Sequence, residues 1–305
     1  MTMHLLPRLA WVAAIAAAFV CAPAASSPST PAASSQSREQ RQLFIAIEDS
    51  SGQPVTGKTP DAFHVWEDGA EREILSAVPA TDPPSVVVIV HGLTSDDGTQ
   101  DIRKALAALV GSFRKARPET RMAMVTYPAT PKLAPIADNA ELDSTATRFA
   151  ASGQNLILLE AITDACHALA KETSRRRVVI AITSSLKNDG STQVGDKAVN
   201  ALKSAGASLW TIDITPSSNK ANLQSVMNYE KDSVLATWTL ASGGFNNQIF
   251  GTTGLTTSVT HLASIVLSQY QVTFSRLVGG EDDRLRVGVA GAEGERVLAP
   301  QWSIQ

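Results

Sequence analysis

Between Ser85 and Val266 the chain alternates continuous apolar runs with helical stripes, and few folds accept that pattern. The run SVVVIV at 85–90 has no polar break and is rich in β-branched residues. A strand of that kind must be covered on both faces, as in a parallel sheet. The helix after it carries Ile102, Leu106, Leu109, Val110 and Phe113 on one stripe, with Asp96, Asp97 or Thr99 as candidate caps. Then follow the strand MAMVTY (122–127), a helix over about 156–171, and the strand VVIAIT (178–183). A helix at 194–205 with Val194, Ala198 and Leu202 inward leads to the strand SLWTIDI (208–214). A helical segment at 232–241 ends at Gly243-Gly244. A short strand near 245–250 and a helix near 255–268 complete the series. Alternation of this kind predicts an α/β, doubly wound, mostly parallel sheet with right-handed crossovers.

Both ends change period. Leu43, Ile45 and Ile47 alternate with Phe44, Ala46 and Glu48, and Phe63, Val65 and Ile74 continue short strands. After the last helix, Tyr270, Val272 and Phe274 alternate, then Leu285, Val287 and Val289, then Val297 and Trp302. The simplest arrangement joins these flanks into one small β module with the α/β domain inserted.

The first 25 residues hold one charge, Arg8, followed by LAWVAAIAAAFVCA and the small-residue site Ala22-Pro23-Ala24. That is the pattern of a secretory signal peptide, too short for a comfortable membrane span. Phe19 and Val20 are bulky where lipid attachment at Cys21 would need small residues. The expected organisation is a signal peptide at 1–25, a Ser/Pro/Ala-rich linker at 26–41, an N-terminal β segment at 42–80, the α/β domain at 83–268 and a C-terminal β segment at 269–305. The expected location is the periplasm, the cell envelope or the medium. A net charge of -3, from 26 basic and 29 acidic side chains, gives no field to recruit nucleic acid. Arg175-Arg176-Arg177 reads as a solvated turn. Cys166 lies on the stripe Leu158, Leu159, Ile162, Cys166, Leu169 and reads as an inert core thiol.

The ordered set of SVVVIV, MAMVTY, ILLEAITDACHAL, RRVVIAIT, SLWTIDI and LASGG resembles a von Willebrand factor type A (VWA) domain. The flanks GQPVTGKTPDAFHVWEDGAEREI, SQYQVTF and RLRVGV resemble those of the bacterial VWFA-related family described from Acidobacteria. The resemblance covers roughly residues 42–303. It implies a divalent-cation site at the C-terminal edge of the sheet, with oxygen ligands from an Asp-x-Ser-x-Ser loop, a Thr and a further Asp. Matched by position, the first loop is His91-Gly92-Leu93-Thr94-Ser95, where the Asp is His91, the first Ser is Leu93 and only Ser95 survives. Leu156 stands at the Thr position, and Ser184 at the last Asp in Thr183-Ser184-Ser185. A degenerate metal-ion-dependent adhesion site of this composition predicts no metal and no other cofactor.

The sequence therefore predicts a non-catalytic exported protein that binds another protein or acts as a scaffold. Its candidate partner-binding rim is His91, Thr94, Ser95, Asn155, Ser184 and Ser185. Two alternatives stay open. Asp96, Asp97 and Asp189 could rebuild a cation site, although capping and a turn at Asp189-Gly190 are simpler readings. The His91-Gly92 loop could serve an α/β-hydrolase oxyanion hole, but the chain has no G-x-S-x-G elbow to carry a nucleophile.

Overall fold

The computed structural model describes residues 38–93, 98–126, 130–150, 157–184, 191–192, 195–215, 234–277 and 284–302. All of them belong to one compact unit, Ser37–Gln305.

Three sheets organise the described residues. The largest holds β5 (Ser85–Val90), β6 (Arg121–Val125), β7 (Ala134–Pro135), β8 (Arg177–Ser184), β9 (Ala207–Thr215) and β10 (Asn246–Phe250). Its order is β10-β9-β8-β5-β6-β7, parallel except for the two-residue edge strand β7. All six residues of β5 are buried, which accounts for its uninterrupted apolar sequence. Val86, Val88 and Val90 point to one face, under α1 (Thr99–Ala116) and α5 (Leu255–Leu267). Val87 and Ile89 point to the other, under α3 (Leu158–Leu169) and α4 (Gly195–Ala205). On α1 the whole expected stripe is buried, from Ile102 to Phe113. Each such side chain contributes about 1.5–3 kcal/mol of burial.

The flanks do combine. β1 (Arg38–Glu48) pairs antiparallel with β11 (Tyr270–Leu277) and, at Ala46–Glu48, with β13 (Arg296–Leu298). β11 also pairs with β4 (Ile74–Pro79), so the order is β13-β1-β11-β4. A three-stranded sheet sets β2 (Phe63–Glu67) between β3 (Ala70–Arg72) and β12 (Leu285–Val289). Leu43, Ile45, Ile47, Phe63, Val65, Tyr270, Val272 and Phe274 form its core. The fold class is therefore α/β, with a mostly parallel, VWA-like sheet and a β module built from both ends of the chain.

Several local expectations need correction. Thr99 is not the cap of α1. Gly98 occupies the N-cap in the left-handed region (φ 77), and Thr99 is already helical. A Cβ at Gly98 would sit 2.5 Å from Thr252 Oγ1, which itself donates to Asp101 Oδ2 at 3.3 Å. Asp96 and Asp97 lie outside the described residues. A helix absent from the sequence reading, α2 (Ala140–Arg148), is capped by Asn139, whose side chain accepts from Leu142 N at 3.0 Å. The expected helix at 232–241 is a π-type turn, Val234–Trp238, running into a single helical turn, Thr239–Ala241.

Cys166 is 1% exposed, and burial pushes its thiol from the ordinary 9.0 up to about 12. Native protein should not react with thiol reagents at pH 8, and reaction should follow unfolding. Between about pH 9 and 12 the unfolded chain loses this proton first. Stability should therefore fall with rising pH in that window, and Cys166→Ala should flatten the slope. Rapid native labelling would contradict the burial.

Candidate functional site

Parallel strands in the order β9-β8-β5-β6 create a switch point between β5 and β8, where successive crossovers diverge. Open α/β sheets place their ligand crevices there, beyond the C-terminal ends of the strands. The residues in question are His91–Leu93 after β5 and Thr183 and Ser184 at the end of β8.

His91 continues the ladder, since its N–H donates to Ile182 O at 2.9 Å. Its Nδ1 and Thr183 Oγ1 are hydrogen-bonded at 3.1 Å. Thr183 is in register with Asp213 on β9, and Asp213 with Gln248 on β10. Side chains two apart along a strand share a face. Val87, Ile89 and then His91 follow one another on the face covered by α3 and α4, as do Val179, Ala181 and Thr183. Asp213 lies two residues beyond Thr211 and four beyond Leu209 on that same face. Three neighbouring strands thus end in a row of polar side chains: His91 at 7% exposure, Thr183 at 0% and Asp213 at 7%.

The other face is apolar here. Leu93 is 3% exposed and packs with Val90, Ile102 and Leu106. Ser184, in step with Ile180 and Ile182, is fully buried. Glu160 on the first turn of α3 accepts from Thr192 N at 2.7 Å and from Thr192 Oγ1 at 3.1 Å. Ser191 Oγ accepts from Leu159 N at 3.0 Å. Ser191 and Thr192 are thereby pinned to the α3 N-terminus, where a carboxylate also meets the positive end of the helix dipole.

Of the rim residues singled out from sequence, His91 and Ser184 are buried and support the edge from within. Thr94, Ser95, Asn155, Ser185, Leu156 and Asp189 lie outside the described residues. Asp213 was missed. Its only signal in sequence is a single carboxylate inside the apolar strand SLWTIDI, near its C-terminal end. His261 holds the β module to α5. Its Nε2 lies 3.2 Å from Glu48 Oε1 and also meets Gly52 O. Arg296 Nε donates to the same buried carboxylate at 2.6 Å. Among the described residues no three His, Cys, Asp or Glu side chains converge as metal ligands.

No known family model matches the chain, and no curated protein matches it. Among solved structures it is similar to a variant of the PilB minor pilin from Streptococcus sanguinis, at 9% identity over 63% of each chain (TM-score 0.41). It is similar to the pilus adhesin SpaC from Lactobacillus rhamnosus GG, at 8% identity over 83% of this chain and 43% of that one (TM-score 0.43). It is also similar to the conserved hypothetical protein BatB from Bacteroides thetaiotaomicron, at 12% identity over 61% of this chain and 98% of that one (TM-score 0.40). The chain thus spans less than two thirds of the length of the pilin and of the adhesin. The fold assignment rests on the strand order and cores described above.

Proposed function

We propose that the chain is an exported, non-catalytic protein that binds another protein or acts as a scaffold, through a VWA-like domain that does not use a metal ion. One observation carries this reading. Leu93 stands where the matched loop would offer a hydroxyl to the metal, and its side chain is in the core. Beside it, the position of the ligand aspartate is an imidazole already bonded to Thr183. A hard cation gives up its water only to a set of anionic and neutral oxygens, which these residues do not supply. Export is proposed on the signal-like N-terminus. Among the described residues no helix is long and apolar enough to cross a membrane.

Calorimetry with magnesium, calcium and manganese should detect no micromolar binding. Micromolar binding by any of them would revive the alternative built on Asp96, Asp97 and Asp189. A broad esterase screen should stay at background, and activity lost in His91→Ala would sink the non-catalytic reading. Capture of a specific envelope protein by the wild-type chain, undiminished by metal chelation, is the positive result expected. Capture that chelator abolishes would refute the metal-free mode.

A further inference from the structure

The opposite, N-terminal edge of the large sheet holds an open cavity of about 260 Å³. Glu39, Gln40, Arg41 and Gln42 of β1 form one wall, and Arg177 at the start of β8 with Arg175 just before it form the other. Three guanidinium groups face one carboxylate there, in a chain whose net charge is -3.

The three arginines are held differently. Arg177 is fixed: Nε donates to Ser174 O at 3.1 Å, Nη1 to Ala205 O at 2.7 Å and Nη2 to Glu172 O at 3.0 Å. All three acceptors are neutral carbonyls, and the Glu172 carboxylate offsets the charge only in part, since the Arg177 guanidinium still sits below its ordinary value. Glu172 nearby already receives Arg121 Nε at 2.6 Å. Arg175 is exposed and makes no hydrogen bond or ion pair among the described residues. Arg41 is half-buried, and its Nη2 meets Oε2 of the exposed Glu39 at 3.2 Å. Burial and then the like charge of Arg175 push the Arg177 guanidinium below its ordinary value. Positive charge is thus crowded at a cavity wall, and an anion there would relieve it.

We propose that this cavity binds a phosphate group, presented either as a free anion or on an anionic lipid headgroup. Guanidinium forks match the several acceptor oxygens of a phosphate, and three of them around one cavity suit it better than a single carboxylate. Arg177 is the preset floor, Arg175 and Arg41 close over the anion, and Gln40 and Gln42 offer neutral donors. Glu39 opposes binding and competes for Arg41.

The test uses the full chain with two probes. Inorganic phosphate is titrated calorimetrically at low salt. Phosphatidylcholine vesicles, with and without phosphatidylglycerol, are used for cosedimentation. Saturable binding of at least one probe is expected, weakened about tenfold or more in Arg175→Gln and further in Arg41→Gln/Arg175→Gln. Glu39→Gln should bind more tightly. Circular dichroism should show all three variants folded, because Arg175 and Glu39 are exposed and Arg41→Gln keeps most of the covered side-chain volume. Phosphate binding identifies a soluble anion, and binding only to phosphatidylglycerol vesicles identifies a headgroup. Binding to neither probe overturns the proposal, as does binding that Arg175→Gln leaves unchanged.

Discussion

Arg176→Ala should lower the free energy of unfolding by about 3–5 kcal/mol, a large part of the total for a domain of this kind. Arg176 is the middle of the run that reads from sequence as a solvated turn, yet it is 1% exposed. Its Nε donates to Gln269 Oε1 at 3.0 Å and its Nη1 to Asp82 O at 3.1 Å. Its Nη2 donates to Val266 O, in the last turn of α5, where the helix dipole favours a cation. One side chain therefore ties the loop before β5 and the α5–β11 junction to the start of β8. Alanine would leave a cavity and take the side-chain donor from three acceptors, of which Val266 O keeps a backbone donor. Arg176→Met separates these two effects, because it restores volume and no donor. It should recover only a minor part of the loss in a urea titration. Full recovery by methionine would show that packing alone matters. Burial holds the guanidinium down to about 10, well below its ordinary value. Below pH 10 both states carry the charge, and the penalty of burying it is fully present. Above pH 10 the folded chain releases the proton before the unfolded chain does, so this group makes stability rise with pH there. That increment should vanish in Arg176→Met.

The α/β core was legible because parallel strands covered on both faces write themselves as unbroken apolar runs. β5, β8 and β9, and the stripes of α1 and α5, follow directly from that rule. The β flanks were legible in kind but not in exposure. Period two in β1 implies one wet face, but Phe44, Ala46 and Glu48 are buried as well. Ala46 packs into the α/β core and Glu48 meets His261 of α5 and Arg296 of β13. Tertiary cover of that kind leaves no periodic trace. α2 was invisible because Leu142 and Ala146 are its only buried residues. At the site, matched loops led to His91, Leu93 and Ser184 at the expected edge. The row with Thr183 and Asp213 depends on register across three strands, which no local pattern encodes.

Gly244→Ala should destabilise the fold by about 3 kcal/mol or more, at the upper end of overpacking effects. Ordinarily a glycine-to-alanine change in a compatible conformation stabilises by roughly 0.4–1 kcal/mol through the unfolded chain. The sign reverses here because of close backbone approach. A Cβ on Gly244 would lie 1.8 Å from Leu209 O and 2.7 Å from Leu209 C, and neither is the end of a flexible side chain. Gly243 beside it is equally confined, with φ 86 and Pro300 N at 2.8 Å from its own Cβ position. The pair ends the helical turn Thr239–Ala241 and delivers the chain to β10 alongside β9. Forcing that approach apart would pull on the Thr211 N–H bond to Phe245 O, at 3.0 Å, and on the edge-to-face packing of Trp210 with Phe245 at 5.3 Å. Gly111 is the control. It lies inside α1, and nothing stands within 4 Å of its Cβ position. Gly111→Ala should stabilise by roughly 0.5–1 kcal/mol. Thermal melts of the two variants should move in opposite directions, and equal shifts would contradict the packing of β10 on β9. The site should respond as well, because Gln248 of β10 is in register with Asp213. Loosening β10 uncovers one end of the buried row His91–Thr183–Asp213, so hydrogen exchange at Asp213 should accelerate in Gly244→Ala while that in β6 changes less.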